Sequence, residues 1–208
     1  MKRKISWIGT LLGGFLMVSV QAQALTVGTK APDFTCADSQ GKTQKLSDYN
    51  GKYVVLEWHN QDCPFVVSQY KGKMEKLQQV WTKKGVVWFS VISSAPSAEG
   101  SVTSDQANAD VKSHGAFPTA TLMDPSGKVG HLFGAKTTPH MFVIDPKGVL
   151  IYNGAIDNAP REDAISDKTE EGKAYLNYVD QALTQAQAGQ DVTVKTTPPY
   201  GCHVKYKD

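Results

Sequence analysis

Cys63 is the residue best placed to do chemistry in this 208-residue chain. The segment Val54-Val55-Leu56-Glu57-Trp58 is a run of strand-forming residues, His59 to Asp62 are polar, and Pro64 falls where a helix begins. Proline suits the first helical position, because its missing N–H would have no partner there. Cys63 is then the N-cap. A sulfur at that point faces the unpaired N–H groups and positive end of a helix, which favour thiolate and lower a thiol pKa from about 8.5 into the range of roughly 3.5–7.5. A thiolate attacks disulfide sulfur or peroxide oxygen. The competing reading is a packed thiol, since free cysteine is among the most buried residue types.

The chain has three cysteines, so at least one lacks an intramolecular partner. Cys202 follows Pro198-Pro199-Tyr200-Gly201 in a segment without helix or strand periodicity, where packing gives a thiol little. A mobile tail suits a thiol that must swing toward Cys63, which makes Cys202 the expected resolving cysteine. Cys36 alternates with Phe34 and reads as packing. Pairing of Cys63 with Cys36, or with neither, stays open. Cys63, His59, His140 and Met141 also offer the soft and imidazole ligands that copper accepts, giving a copper carrier as an alternative function. Against it stands the lack of a second nearby cysteine or a Met- or His-rich tract, so neither metal ligand nor cofactor is expected.

Lys2, Arg3 and Lys4, the apolar stretch from Ile5 to Val20, and Ala22-Gln23-Ala24 read as a signal peptide over residues 1–24. The expected domain covers 25–190, and 191–208 is a tail carrying Cys202. Export to the periplasm or the medium follows, with no stable membrane insertion once the leader is cut. Without the leader, Lys+Arg fall from 22 to 19 against 20 Asp+Glu, a net charge near −1. No basic patch remains for nucleic acid.

Strands and helices alternate along the rest. Ala31 to Cys36 and Thr43 to Leu46 flank a turn and form a hairpin. The pattern predicts one helix from Pro64 to about Lys83 with Phe65, Tyr70, Met74, Leu77 and Trp81 on its apolar stripe. Val86 to Ile92 reads as a parallel strand buried on both faces. A helix capped by Thr103 or Ser104 ends at His114-Gly115, and Thr119 to Met123 is a strand. The turns Asp124-Pro125-Ser126-Gly127 and Asp145-Pro146-Lys147-Gly148 follow, the second closing a hairpin. A helix from Glu170 to Ala188 ends the pattern.

Ala31-Pro32-Asp33-Phe34, Leu46-Ser47-Asp48-Tyr49-Asn50-Gly51-Lys52, the strand leading to Cys63, and Lys136-Thr137-Thr138-Pro139-His140-Met141-Phe142-Val143-Ile144-Asp145 together resemble the thioredoxin-like superfamily. The likeness is to its exported redoxin branch, which holds peroxiredoxin-like (AhpC/TSA) and TlpA/ResA-like proteins. The resemblance implies an α/β thioredoxin-like fold, a mixed central sheet flanked by helices with an N-terminal β-hairpin. It implies a cis Thr138–Pro139 peptide opposite Cys63, with Thr138, Pro139 and Pro64 meeting substrate. Glu57 falls where thioredoxins keep a buried acidic residue beneath the cysteine, a proton shuttle by analogy. His59 and His140 flank the same region. The implied activity is thiol–disulfide exchange through Cys63, or peroxide reduction by the same thiol. The implied partners are protein thiols and disulfides or small hydroperoxides, and an external thiol reductant. The chain departs from the family at Val66, which stands in place of a second Cys-x-x-Cys cysteine. It departs again at Leu56 and Asn60, where peroxiredoxins carry Pro and Thr.

Overall fold

The computed structural model describes residues 25–160 and 174–207. Its centre is strand β3, Val54–Trp58, which lies between parallel β4, Val87–Ile92, and antiparallel β7, His140–Ile144. Every residue of these three strands is buried. That is why their sequences are apolar runs rather than alternations. β5, Ala120–Met123, and β8, Leu150–Gly154, complete the order β5-β4-β3-β7-β8, a mixed five-stranded sheet. The N-terminal hairpin of β1, Thr35–Ala37, and β2, Thr43–Lys45, forms apart from it.

The two faces of β3 feed two cores. Val55 joins Trp88, Val143 and Tyr152 in a core that contains Cys63 and is covered by helix residues Met74, Leu77, Trp81 and Leu183. Val54, Leu56 and Trp58 join Phe89, Phe142, Phe133 and the hairpin's Phe34 and Cys36 in the other. Sheet between layers is the arrangement that alternating strands and helices require.

Three expectations for the helices shift and one holds. The helix predicted from Pro64 to Lys83 is two: α1, Pro64–Gln69, and α2, Lys73–Lys83. Gly72 breaks it at φ +100, a left-handed conformation, and its N–H bonds Glu75 Oε2 at 2.9 Å. α3, Ser104–His114, starts at Thr103, whose hydroxyl accepts from Gln106 N–H, and stops at Gly115. The turn after Asp124 leads into α4, Lys128–Phe133, too short for its periodicity to register. α5 spans Tyr178–Gln187, because the Asn177 side chain caps it by accepting from Asp180 N–H at 2.8 Å. The predicted start at Glu170 falls outside the described residues, as does the leader, and 174–177 are not helical.

The tail is no free arm. β6, Thr137–Thr138, pairs antiparallel with β9, Cys202–His203. Beyond β9, Val204 N–H donates to Lys136 O at 3.0 Å and Lys205 O accepts from Ala95 N–H at 2.7 Å. Tyr206 stacks on His131 and donates to Ala135 O at 2.8 Å. A two-residue strand has no period to read, so pairing with β6 leaves no trace in the tail sequence.

Candidate active site

Cys63 is the N-cap of α1 at φ −77°, ψ 120°, with Pro64 at the first helical position. It is 0 % exposed. Its N–H donates to Asn60 O at 3.1 Å, closing the turn out of β3. The thiol donates to Thr138 O at 3.1 Å and takes no cap bond from the first turn. The Thr138–Pro139 peptide is cis. The register Thr138↔Cys202 brings Cys202 to the same point, and both cysteines are free thiols.

Burial acts to raise the Cys63 pKa, but the polar groups around the sulfur, the Cys202 thiol first, then Thr138 and the backbone N–H groups of Val66 and Cys202, outweigh it, and Cys63 lies below the ordinary thiol range. Cys202 moves the opposite way, to about 11, through burial and then its bond and proximity to Cys63. The helix terminus expected from the sequence is the smaller cause. α1 has only six residues, and the Cys202 and Thr138 side chains contribute more than Val66 N–H does. The contribution of Cys202 has no signature in the sequence beyond an odd thiol in a tail.

Tail and active-site helix are tied together beneath the cysteines. The Asp157 carboxylate is buried and accepts from Tyr200 at 2.5 Å, from Gln69 and Tyr175 at 3.1 Å, and from Ala159 N–H at 3.0 Å. Gln69 belongs to α1 and also donates to Tyr200 Oη at 3.0 Å. Asp157 and Gln69 were missed by sequence reasoning, because neither stands in a recognisable motif.

Glu57 is wholly buried on the central strand, not on an exposed edge. Its oxygens accept from Tyr70 at 2.8 Å, Gln78 at 3.0 Å, Trp88 at 2.7 Å and Ser90 at 3.4 Å. No hydrogen bond joins it to Cys63 among the described residues. His59 faces this carboxylate at 3.8 Å and Asp110 at 3.1 Å. Burial lowers its pKa, but the hydrogen bond to Asp110 and the nearby Glu57 carboxylate more than reverse this and push it up to about 9. His140 accepts from Lys136 N–H at 3.1 Å and bonds Asn153 Oδ1 at 2.8 Å, while burial pulls it down to about 4. Neither histidine has a bond to Cys63. With both His140 nitrogens engaged and His59 Nε2 on Asp110, the ligand set of a copper carrier is not assembled. No group of three or more His, Cys, Asp or Glu is arranged to hold a metal among the described residues.

Comparisons with known proteins bear on this site. A selenocysteine-containing peroxiredoxin of Peptoclostridium acidaminophilum is 30% identical over 135 residues, 61% of this chain and 66% of that protein. A thiol-disulfide oxidoreductase ResA of Geobacillus thermodenitrificans is 27% identical over 125 residues, 60% of this chain and 67% of the relative. The chain thus spans about two thirds of the length of these relatives. Among solved structures, a hypothetical protein of Sinorhizobium meliloti 1021 superposes with a TM-score of 0.74 at 26% identity, over 89% of this chain and 97% of that one. A putative thiol:disulfide interchange protein DsbE of Chlorobium tepidum superposes with a TM-score of 0.51 at 27% identity, over 62% of this chain and 84% of that one. The fold is thioredoxin-like, and the relatives make the protein an oxidoreductase of the redoxin type. The family model of AhpC/TSA matches residues 27–153, which take in Cys63 and the cis proline and exclude Cys202, and the chain belongs to that family.

Proposed function

We propose that the protein is an exported thiol oxidoreductase in which Cys63 is the nucleophile and Cys202 the resolving thiol. The adjacency of the two thiols across the Thr138–Cys202 strand pair supports this reading above all else. In exchange, the Cys63 thiolate attacks one sulfur of a disulfide and expels the other as thiolate. Cys202, giving up its proton, then attacks the Cys63 sulfur, expels the second thiolate and leaves a Cys63–Cys202 disulfide. An external dithiol restores both thiols and is itself oxidised. Thr138, Pro139 and Pro64 line the approach, and Glu57 serves as a positioning group that holds Tyr70 and His59 in place behind β3. Export rests on the leader at residues 1–24. No helix among the described residues is long and apolar enough to cross a membrane.

A hydroperoxide serves the same pair. The Cys63 thiolate attacks oxygen and becomes a sulfenic acid as alcohol or water leaves, and Cys202 condenses with it, releasing water. The complete burial of Cys63 and the likeness to a peroxiredoxin favour this reading. Peptide mass spectrometry after peroxide or disulfide challenge tests both. The expected product is a cross-linked pair of peptides containing Cys63 and Cys202. A Cys63–Cys36 link, or sulfinic acid at Cys63 without any link, overturns the pairing.

A further inference from the structure

In the thioredoxin-like folds that this chain resembles, the backbone before the cis proline offers N–H and C=O groups to an extended partner peptide. Here that edge is taken. Thr137 and Thr138 pair with His203 and Cys202 of the chain's own tail, so Cys202 sits where a partner's cysteine would meet Cys63. The seat is built for the tail at three points. At Gly201, φ +130, a Cβ would lie 2.1 Å from Thr138 O. At Gly154 it would lie 2.3 Å from Thr197 Oγ1, and at Gly130 2.4 Å from Tyr206 Oη. Such approaches are open to glycine alone without a shift in the neighbours. Thr197 is held further by Tyr152 Oη at 2.7 Å and by Ala155 N–H at 2.9 Å.

We infer that β9 is a resident stand-in for a peptide substrate, and that it restricts Cys63 to small oxidants of the hydroperoxide class while shutting out cysteine-bearing peptides until the tail is displaced. This inference rests on Cys63 being the reactive thiol. A hydroperoxide needs only a path for two oxygen atoms to the sulfur. A peptide disulfide must also take the β6 edge, and two strands cannot share it.

The test compares two probes on the Cys202→Ser protein, which keeps Cys63 as the reactive thiol. One probe is an extended peptide whose cysteine is joined to 5-thio-2-nitrobenzoate. Cys63 thiolate attacks the peptide sulfur, forming a mixed disulfide and expelling the coloured thiolate. The other is hydrogen peroxide, which takes Cys63 thiolate and a proton to sulfenic acid and water. Adding Gly201→Ala, which drives β9 off Thr138 O, raises the peptide rate relative to the peroxide rate by at least about tenfold, equivalent to roughly 1.4 kcal/mol. Tyr206→Ala, which loosens the tail far from Cys63, raises the ratio by a smaller factor. An unchanged ratio in both variants overturns the inference. Should either variant fail to fold, hydrogen exchange in the Cys202→Ser protein without further changes decides: Val204 N–H loses protection when the peptide mixed disulfide forms. Protection retained in that adduct overturns the inference. If Cys63 reacts with neither probe, the functional reading falls and takes this inference with it.

Discussion

Cys36 and Cys63 are both buried, at 8 % and 0 % exposure, yet their thiols are pushed in opposite directions. Cys36 donates to Met123 O at 3.3 Å and to Ala37 O at 3.5 Å; burial, with Asp124 and Asp38 nearby, pushes it up to about 12. Cys63 is the more buried of the two by exposure and lies below the ordinary range, because the Cys202 thiol and backbone N–H groups stand beside its sulfur along with the Thr138 carbonyl, where Cys36 has the carboxylates of Asp124 and Asp38 nearby. Burial alone does not quiet a thiol. Its effect is decided by which charge state the neighbouring dipoles favour.

The sharpest way to break this comparison is to remove each thiol in turn. Cys63→Ser is expected to lower peroxide or disulfide turnover by roughly 10³-fold or more, since no other thiol has a nucleophile's setting. Cys36→Ser should leave turnover within about a factor of two and cost about 1 kcal/mol of stability, as the hydroxyl inherits a carbonyl partner in an apolar pocket. Steady-state rates and denaturant melts read both. Loss of turnover in Cys36→Ser with the fold intact would reverse the assignment.

The second expectation concerns pH. Alkylation of Cys63 in the native protein should show a midpoint below the ordinary thiol value of about 8.5, while Cys36 stays silent until pH approaches its own value of about 12. Cys202→Ala removes the largest stabilising contact and should move the Cys63 midpoint upward. If the midpoint holds, the backbone N–H groups and Thr138 suffice by themselves. The sign for stability follows for each thiol. Cys63, depressed in the fold, adds stability above the unfolded pKa and loses it as pH falls. Cys36, raised in the fold, adds stability below the unfolded pKa and loses it as pH rises toward about 12.

Much of this was legible in the sequence. Val54 to Trp58 and Val86 to Ile92 read as buried strands because both faces of the sheet are covered. Cys63 read as an N-cap because Pro64 marks a helix start. Thr103 and Gly115 bounded α3 by their capping chemistry. What stayed hidden depends on contacts between distant segments. Gly72 splits the first helix, although isolated glycine within an apolar stripe is ordinarily tolerated. His59 and His140 look alike in sequence, and only the carboxylates of Asp110 and Glu57 beside His59, against burial without a carboxylate partner at His140, make them opposites. The tail lacks periodicity because its order comes from Thr138, Tyr152, Asp157 and His131, all elsewhere in the chain.

Those two histidines repeat the lesson of the two thiols on a smaller scale. His59, raised to about 9, contributes stability that is complete below the unfolded value near 6.5 and is lost as pH rises through about 9. His140, lowered to about 4, contributes stability that is present above 6.5 and is lost as pH falls through about 4. Denaturant unfolding from pH 4 to 10 should therefore peak near neutrality, with each limb amounting to roughly 1–3 kcal/mol. His59→Gln should flatten the alkaline limb and leave the acid limb in place. Equal loss of both limbs would mean that other groups carry the profile.

The smallest effect probes how firmly the tail governs Cys63. Tyr200 donates to Asp157 at 2.5 Å, accepts from Gln69 of α1 at 3.0 Å, and packs against Phe65, two residues ahead of Cys202 in the chain and two residues after Cys63 at its ring contact. Tyr200→Phe keeps the ring and deletes the hydroxyl. Asp157 retains Gln69, Tyr175 and Ala159 N–H, so the loss should be about 1 kcal/mol rather than the larger cost of an abandoned buried carboxylate. Because the hydroxyl is one of the links between α1 and the tail, part of that loss should appear as looser seating of β9, seen as faster exchange of Val204 N–H and a small upward drift of the Cys63 alkylation midpoint. A variant that loses stability with neither change would show that Asp157 is a fold anchor only. The contrast between Cys63 and Cys36 would then rest on β6 and β9 themselves, with no help from the cluster below them.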